Sequence, residues 1–156
     1  MEKRYEHKKI EPEIYKLWED NDAFSPEGAS KIRRAQKGQE NNKPYSVLMP
    51  PPNANASLHC GHATYAIQDL MVRFKRMQGY DTCYFPGTDH AGFETQVVYE
   101  KHLKKEGKSR FDFDSQTLYK KILDFVNENS TIATNQLKRI GMSADWVGIH
   151  LCWIKR

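Results

Sequence analysis

The stretch from Tyr45 to Gln96 constrains this chain more than any other. It writes, in order, a strand, a glycine-bearing turn, a helix, a second strand and a second glycine-bearing turn. Tyr45-Ser46-Val47-Leu48-Met49 is a short β-prone run. Pro50-Pro51-Pro52-Asn53 stops it, because proline has no N–H to give to a ladder and pushes its predecessor away from helix. After His59-Cys60-Gly61-His62, the positions Ala63, Ala66, Ile67, Leu70, Met71, Phe74 and Met77 recur at spacings of three and four, which predicts a helix. Gly79 ends it where a left-handed residue is usually wanted. Thr82-Cys83-Tyr84-Phe85 is the second strand, and Pro86-Gly87-Thr88-Asp89-His90-Ala91-Gly92 the second turn. Two strands joined by a helix of this length should pair in parallel through a right-handed crossover. Both turns then emerge at the carboxyl ends of neighbouring strands, where open α/β sheets bind ligands.

A chain of 156 residues has room for one core. Its net charge of +4 is too small to announce a nucleic-acid surface, and the lysines and arginines read as solvated helix faces. No apolar run is long enough for a membrane span, and Met1-Glu2-Lys3-Arg4-Tyr5 is not followed by the apolar segment of a secretory signal. Cys60, Cys83 and Cys152 are odd in number and lack paired metal spacing, which fits free thiols in a reducing, cytoplasmic setting.

Elsewhere the pattern is helical. Glu11 to Trp18 predicts a first helix with Pro12 near its start and Ile14, Leu17 and Trp18 on one face. Residues 21–43 show no steady period and read as a polar connection. Phe93 to Glu106 predicts a helix closed by Gly107. From Ser115, the positions Leu118, Ile122, Phe125, Val126, Ile132, Ala133, Leu137 and Ile140 hold a helical period for about seven turns, a stripe expected to pack against the sheet. Asn127 to Ser130 is a polar interruption where a kink is expected. Three segments follow: an N-terminal helix and connection over 1–44, an α/β half-domain over 45–146, and a divergent apolar tail over 147–156.

The chemistry lies in the two turns. A helix starting just after a strand offers free N–H groups and the positive end of its dipole to an anion such as phosphate. His59 and His62 stand three apart across that start, and imidazoles there could donate to oxygens that gain charge in phosphoryl or nucleotidyl transfer. Gly61 removes a side chain, so a flat group such as a purine could lie close to the backbone. The same pair is compatible with capping, a satisfied polar cluster, or zinc with a cysteine, although the second half of a zinc site is missing. Asp89 could accept from an ammonium group or bond its own turn, and its residue type alone does not choose.

Read together, the turns resemble the class I aminoacyl-tRNA synthetases, and within them the valyl branch. His59-Cys60-Gly61-His62 matches the signature His-x-Gly-His, while Pro50-Pro51-Pro52-Asn53 with Ser57-Leu58, and Gly87-Thr88-Asp89-His90-Ala91-Gly92, look like the valyl forms of the two turns. Lys75-Arg76-Met77-Gln78-Gly79-Tyr80, Gln136-Leu137-Lys138-Arg139-Ile140-Gly141 and Ser143-Ala144-Asp145-Trp146 extend the similarity in the right order, from about Tyr15 to Trp146.

The resemblance implies the first half of a Rossmann-like fold: a short parallel sheet, flanking helices and a long C-terminal helix. It implies ATP, with Mg2+ accompanying it as substrate, on His59, Gly61, His62 and Asn55. His59 and His62 would be the catalytic pair. Valine would sit on Pro50, Pro51, Asn53 and Asp89, with Asp89 taking the ammonium. Partners implied are tRNA-Val and a C-terminal half of the enzyme, with no membrane and no tightly bound metal. Where the family commonly has Val-Thr-Gly this chain has Ala54-Asn55-Ala56, and Glu94 replaces a small residue. After Trp146 the similarity lapses, and the Lys-Met-Ser-Lys-Ser loop, the editing insertion and the anticodon-binding helices are not in this sequence. Weak or absent activity alone is therefore expected. The rival expectations are a non-catalytic module that docks onto a separately encoded C-terminal half, and a simple ATP-binding domain.

Overall fold

Two parallel strands and the helix between them form the centre of the computed structural model, which describes residues 5–28, 43–89, 91–148 and 150–151. Strand β1 (Pro44–Leu48) pairs with β2 (Asp81–Phe85) from Pro44↔Asp81 to Leu48↔Phe85, and helix α2 (Ala63–Met77) connects them. The helix closes as the sequence predicts: Gly79 adopts φ 84°, and its N–H donates to the Arg76 carbonyl at 3.0 Å. Before β1 lies α1 (His7–Asp20), and after β2 come α3 (Gly92–Lys105) and α4 (Ser115–Arg139). A second parallel pair joins β3 (Gly87–Thr88) to β4 (His150–Leu151), so the described part of the tail returns to the second turn. Positions 1–4, 29–42, 90, 149 and 152–156 lie outside the described residues. With them go most of the polar connection, His90, Cys152 and most of the apolar tail.

The core differs from the one the periodicity suggests. On α2 the buried residues are Tyr65, Asp69 and Val72, whereas Ile67, Leu70, Met71, Phe74 and Met77 are each more than half exposed. A period fixes that a helix has a stripe but not which face meets the sheet, and here polar bonding turned it. Asp69 is the reason. Its Oδ1 accepts from the Ser143 N–H at 2.9 Å and from the Ser143 hydroxyl at 2.5 Å, while Oδ2 accepts from Arg73 Nε at 2.7 Å. Arg73 also donates to the Gly141 carbonyl, and Arg76 to Thr82 Oγ1 at 3.0 Å and to the Ser143 carbonyl at 3.3 Å. Burial of Arg76 lowers its pKa to about 10. A buried carboxylate needs partners on each oxygen: Ser143, in the segment after α4, supplies them to Oδ1, and Arg73 of α2 itself supplies Oδ2.

The other helices carry smaller corrections. α1 begins before Pro12, which lies inside the helix, and it buries Tyr15 while Ile14 and Leu17 are exposed. Tyr15 donates to the Met142 carbonyl at 2.7 Å and accepts from Trp146 Nε1 at 2.5 Å, so a polar tether across the fold picks the face. Residues 21–28 are less loose than a polar connection implies, since Phe24 is buried against Tyr15 and Trp18 with ring centroids 5.7 and 5.8 Å away. α4 runs unbroken through Asn127 to Ser130. Its end reaches the sheet, where Leu137 joins Met49, Tyr65, Val72, Tyr84, Met142 and Ala144. Further back it packs on α3, with Phe125 against Tyr99 at 5.4 Å.

Two outcomes test this arrangement. Asp69→Ala strands the Ser143 and Arg73 donors and should cost about 3 kcal/mol in urea unfolding, whereas Leu70→Ser should change stability by no more than about 0.5 kcal/mol. The cysteines should also separate, because Cys60 is exposed and Cys83 buried. Burial, with the Asp145 and Glu27 carboxylates, pushes the Cys83 thiol up to about 11 from 9.0. The folded state holds this proton to higher pH than the unfolded state, so its stabilising contribution is complete below pH 9.0 and lost as pH rises towards about 11. Alkylation at pH 8 followed by peptide mass mapping should mark Cys60 and spare Cys83, and the Tm decline above pH 9 should be shallower in Cys83→Ala.

Candidate active site

Parallel pairing delivers both turns to one end of the sheet, and the backbone then stitches them together. The Asp89 N–H donates to the Pro52 carbonyl at 2.9 Å, and the Ala54 N–H donates to the Asp89 carbonyl at 2.8 Å. Asn53 and Asp89 form a parallel bridge at that point. Pro50, Pro51 and Asn53 line the exposed side of the first turn, Pro52 is buried beneath it, and Asp89 is half-buried. The proline run and Asp89 are therefore brought together.

Leu58 precedes the histidines, and its N–H donates to Gln136 Oε1 of α4 at 2.7 Å. This glutamine anchors the entry to the His59 turn. Nothing in the residue type betrayed that role; only its place inside a long helical stripe, where a polar residue interrupts apolar ones, hinted at it.

His59 to His62 form a reciprocal cap. The Gly61 N–H donates to His59 Nδ1 at 3.1 Å, and the His59 N–H donates to His62 Nδ1 at 3.0 Å. A ring nitrogen that accepts carries the lone pair, so His59 is set with its proton on Nε2. The rings lie 4.1 Å apart by centroid, and His62 meets Tyr65 edge-on at 5.2 Å. The 3-10 turn Cys60–His62 runs directly into α2, so the histidines sit at the start of that helix, where the Ala63 N–H already donates to the Cys60 carbonyl. Gly61 has a cause in the fold itself: a Cβ there would lie 2.8 Å from His59 Cε1 and 3.0 Å from Nδ1. The space that the missing side chain leaves is covered by the His59 imidazole.

Asn55, expected on the nucleotide, is buried and donates from Nδ2 to Thr95 Oγ1 of α3 at 2.7 Å. Glu94 is exposed in the first turn of α3, where a carboxylate suits the helix dipole. Among the described residues, no group of three His, Cys, Asp or Glu side chains could hold a metal ion. No helix among them is long and apolar enough to cross a membrane. An open groove of about 820 Å³ lies between α1 and the end of α4, lined by Tyr5, Glu11, Trp18 and Lys138 among others, and it includes no residue of either turn.

Comparison with known proteins follows the same geometry. A family model described as tRNA synthetases class I (I, L, M and V) matches residues 13–150. A valine–tRNA ligase of Chlamydia pneumoniae is 42% identical over 146 residues, covering 92% of this chain and 14% of that protein. One from Treponema denticola is 42% identical over 147 residues, covering 94% of this chain and 15% of that protein. The chain thus spans about one seventh of the length of these relatives. Among solved structures, the ternary LeuRS-tRNA-LeuAMS complex of Agrobacterium radiobacter K84 agnB2 matches with a TM-score of 0.68 at 17% identity. That match covers 95% of this chain and 16% of the other, and it speaks for the fold.

The cap makes a prediction of its own. Gly61→Ala should swing the His59 ring away and free the residue-61 amide, at a cost of about 1 kcal/mol. NMR should show faster exchange of that amide while the Leu48–Phe85 strand pair keeps its protection.

Proposed function

The chain belongs to the class I tRNA synthetases of the I, L, M and V group, and from that membership we propose that it forms the ATP and valine half-site of a valine–tRNA ligase. The observation that carries this reading is the stitching of the two turns. One bears paired imidazoles at a helix start and the other bears Asp89, and backbone bonds join them at Pro52 and Ala54.

In this reading ATP lies over the start of α2, its phosphates receiving hydrogen bonds from His59 and His62. Each imidazole uses Nδ1 within the cap, which leaves Nε2 for the ligand. Gly61 serves the cap, making room for the His59 ring. Pro50, Pro51 and Asn53 shape the amino-acid side, and Asp89 accepts from the valine ammonium. The valine carboxylate attacks the α-phosphorus in line; a C–O–P linkage forms, the α–β phosphoanhydride breaks, and pyrophosphate leaves. Valyl-adenylate then passes its acyl group to a hydroxyl at the end of tRNA-Val: the ester forms, the acyl–phosphate bond breaks, and AMP leaves as the hydroxyl gives up its proton. No side chain becomes covalently bonded, so the protein's share is orientation and charge stabilisation. Mg2+ belongs to the nucleotide substrate, whose phosphates hold it. The setting is cytoplasmic.

One observation favours a second role beside this one. The apolar stripe Ile67, Leu70, Phe74 and Met77 on α2 stands in solvent, a helix face that suits cover from the C-terminal half of the same enzyme, supplied in trans. A well-behaved monomer on size-exclusion chromatography would count against that role.

Calorimetry with an ATP analogue should show valine bound in preference to isoleucine and threonine. Asp89→Asn should weaken valine about 10- to 100-fold, the loss of a charge-assisted hydrogen bond worth about 1.5–3 kcal/mol, and leave the analogue unchanged. Equal affinity for the three amino acids would leave only a nucleotide-binding domain.

A further inference from the structure

The turn that carries Asp89 is awkward to hold. Ala91, two residues on, is left-handed at φ 51° and Gly92 follows at φ 25°. A non-glycine residue in that region costs on the order of 1 kcal/mol or more and persists only where its surroundings fix it. Helix α3 begins here without a side-chain cap, and its first described backbone bond, Thr95 N–H to the Ala91 carbonyl, is long at 3.3 Å.

Two ties from the first turn flank it. On the near side are the backbone bonds of Asp89 to Pro52 and Ala54. On the far side, Asn55 Nδ2 donates to Thr95 Oγ1 at 2.7 Å, and both residues are buried, at 7% and 2% exposure. A buried bond of this length holds its partners in a fixed relation, because breaking it leaves polar atoms unsatisfied away from water. Residues 52 to 55 thus grip the second turn on both sides of the strained bend, and the same segment runs on to His59.

We propose that Asn55 and Thr95 are a positioning pair: their hydrogen bond fixes the bend after Asp89 and so sets the Asp89 carboxylate against the segment that leads to His59. Asn55 touches neither substrate in this role. It acts through Thr95 and the bend, joining the amino-acid side of the site to the nucleotide side. The functional part of this inference rests on the valine and ATP reading above; the structural part does not.

The test separates the two. Thr95→Val removes the hydroxyl at nearly constant volume, and Thr95→Ser keeps it. Amide exchange by NMR in the full chain should be about 10-fold faster at Ala54 and Asp89 in Thr95→Val, the equivalent of one hydrogen bond of about 1.4 kcal/mol. The Met49 amide, bonded to the Phe85 carbonyl in the sheet, should keep its rate, and Thr95→Ser should restore all three. Unchanged exchange at Ala54 and Asp89, or equal acceleration at Met49, would overturn the proposal. Where the wild-type chain binds valine, Thr95→Val should weaken valine about 10-fold with the ATP analogue unchanged, and Thr95→Ser should bind as wild type. Absence of valine binding in the wild type would instead count against the ligase reading, with the exchange rates still deciding the pair.

Discussion

The parallel register of β1 and β2 is the constraint on which the rest depends. Leu48 pairs with Phe85, so both strands finish level and both turns leave the sheet at the same end. An antiparallel pair would send them to opposite ends, and Asp89 could not bond Pro52 and Ala54. The fifteen-residue helix α2 enforces the parallel choice, since two parallel strands need a crossover and a hairpin loop cannot supply one. Everything chemical in the molecule is placed by this one pairing.

A second decision concerns which face of α2 turns inward. The helix has two candidate faces, an apolar stripe and a polar stripe centred on Asp69, and the polar one is buried with Tyr65 and Val72. Burying a carboxylate is costly in isolation. Here the Ser143 amide and hydroxyl and the Arg73 guanidinium satisfy it, while Arg73 and Arg76 also reach carbonyls at Gly141 and Ser143. The loop after α4 is thereby locked to α2, and through Met142 it is also locked to Tyr15 of α1. The apolar stripe is left for whatever covers it.

The candidate site shows how few side chains the backbone needs in order to become specific. His59 and His62 spend their Nδ1 atoms on the turn between them, which orients both rings. Gly61 belongs to this cap before it belongs to any ligand, because the His59 ring occupies the room a Cβ would take. Gln136 and Asn55 attach the two ends of the same segment to α4 and α3. The reactive-looking residues are thus held by neighbours that look inert in the sequence.

The sequence by itself determined the alternation of strand and helix, the parallel sheet, the two turns and their candidate residues, and the family. These follow from local signals: proline and glycine punctuation, hydrophobic period, and motifs whose parts lie within a few residues. Only the tertiary structure decided the buried face of α2, the inward Tyr15 of α1, the partial contact of α4 with the sheet, and the partners of Asn55 and Gln136. Each of those is settled by a bond between residues far apart in the chain, such as Asp69 with Ser143 or Asn55 with Thr95. A period reports that a helix has faces; satisfying a buried polar group selects among them, and its partner is invisible until the chain has folded.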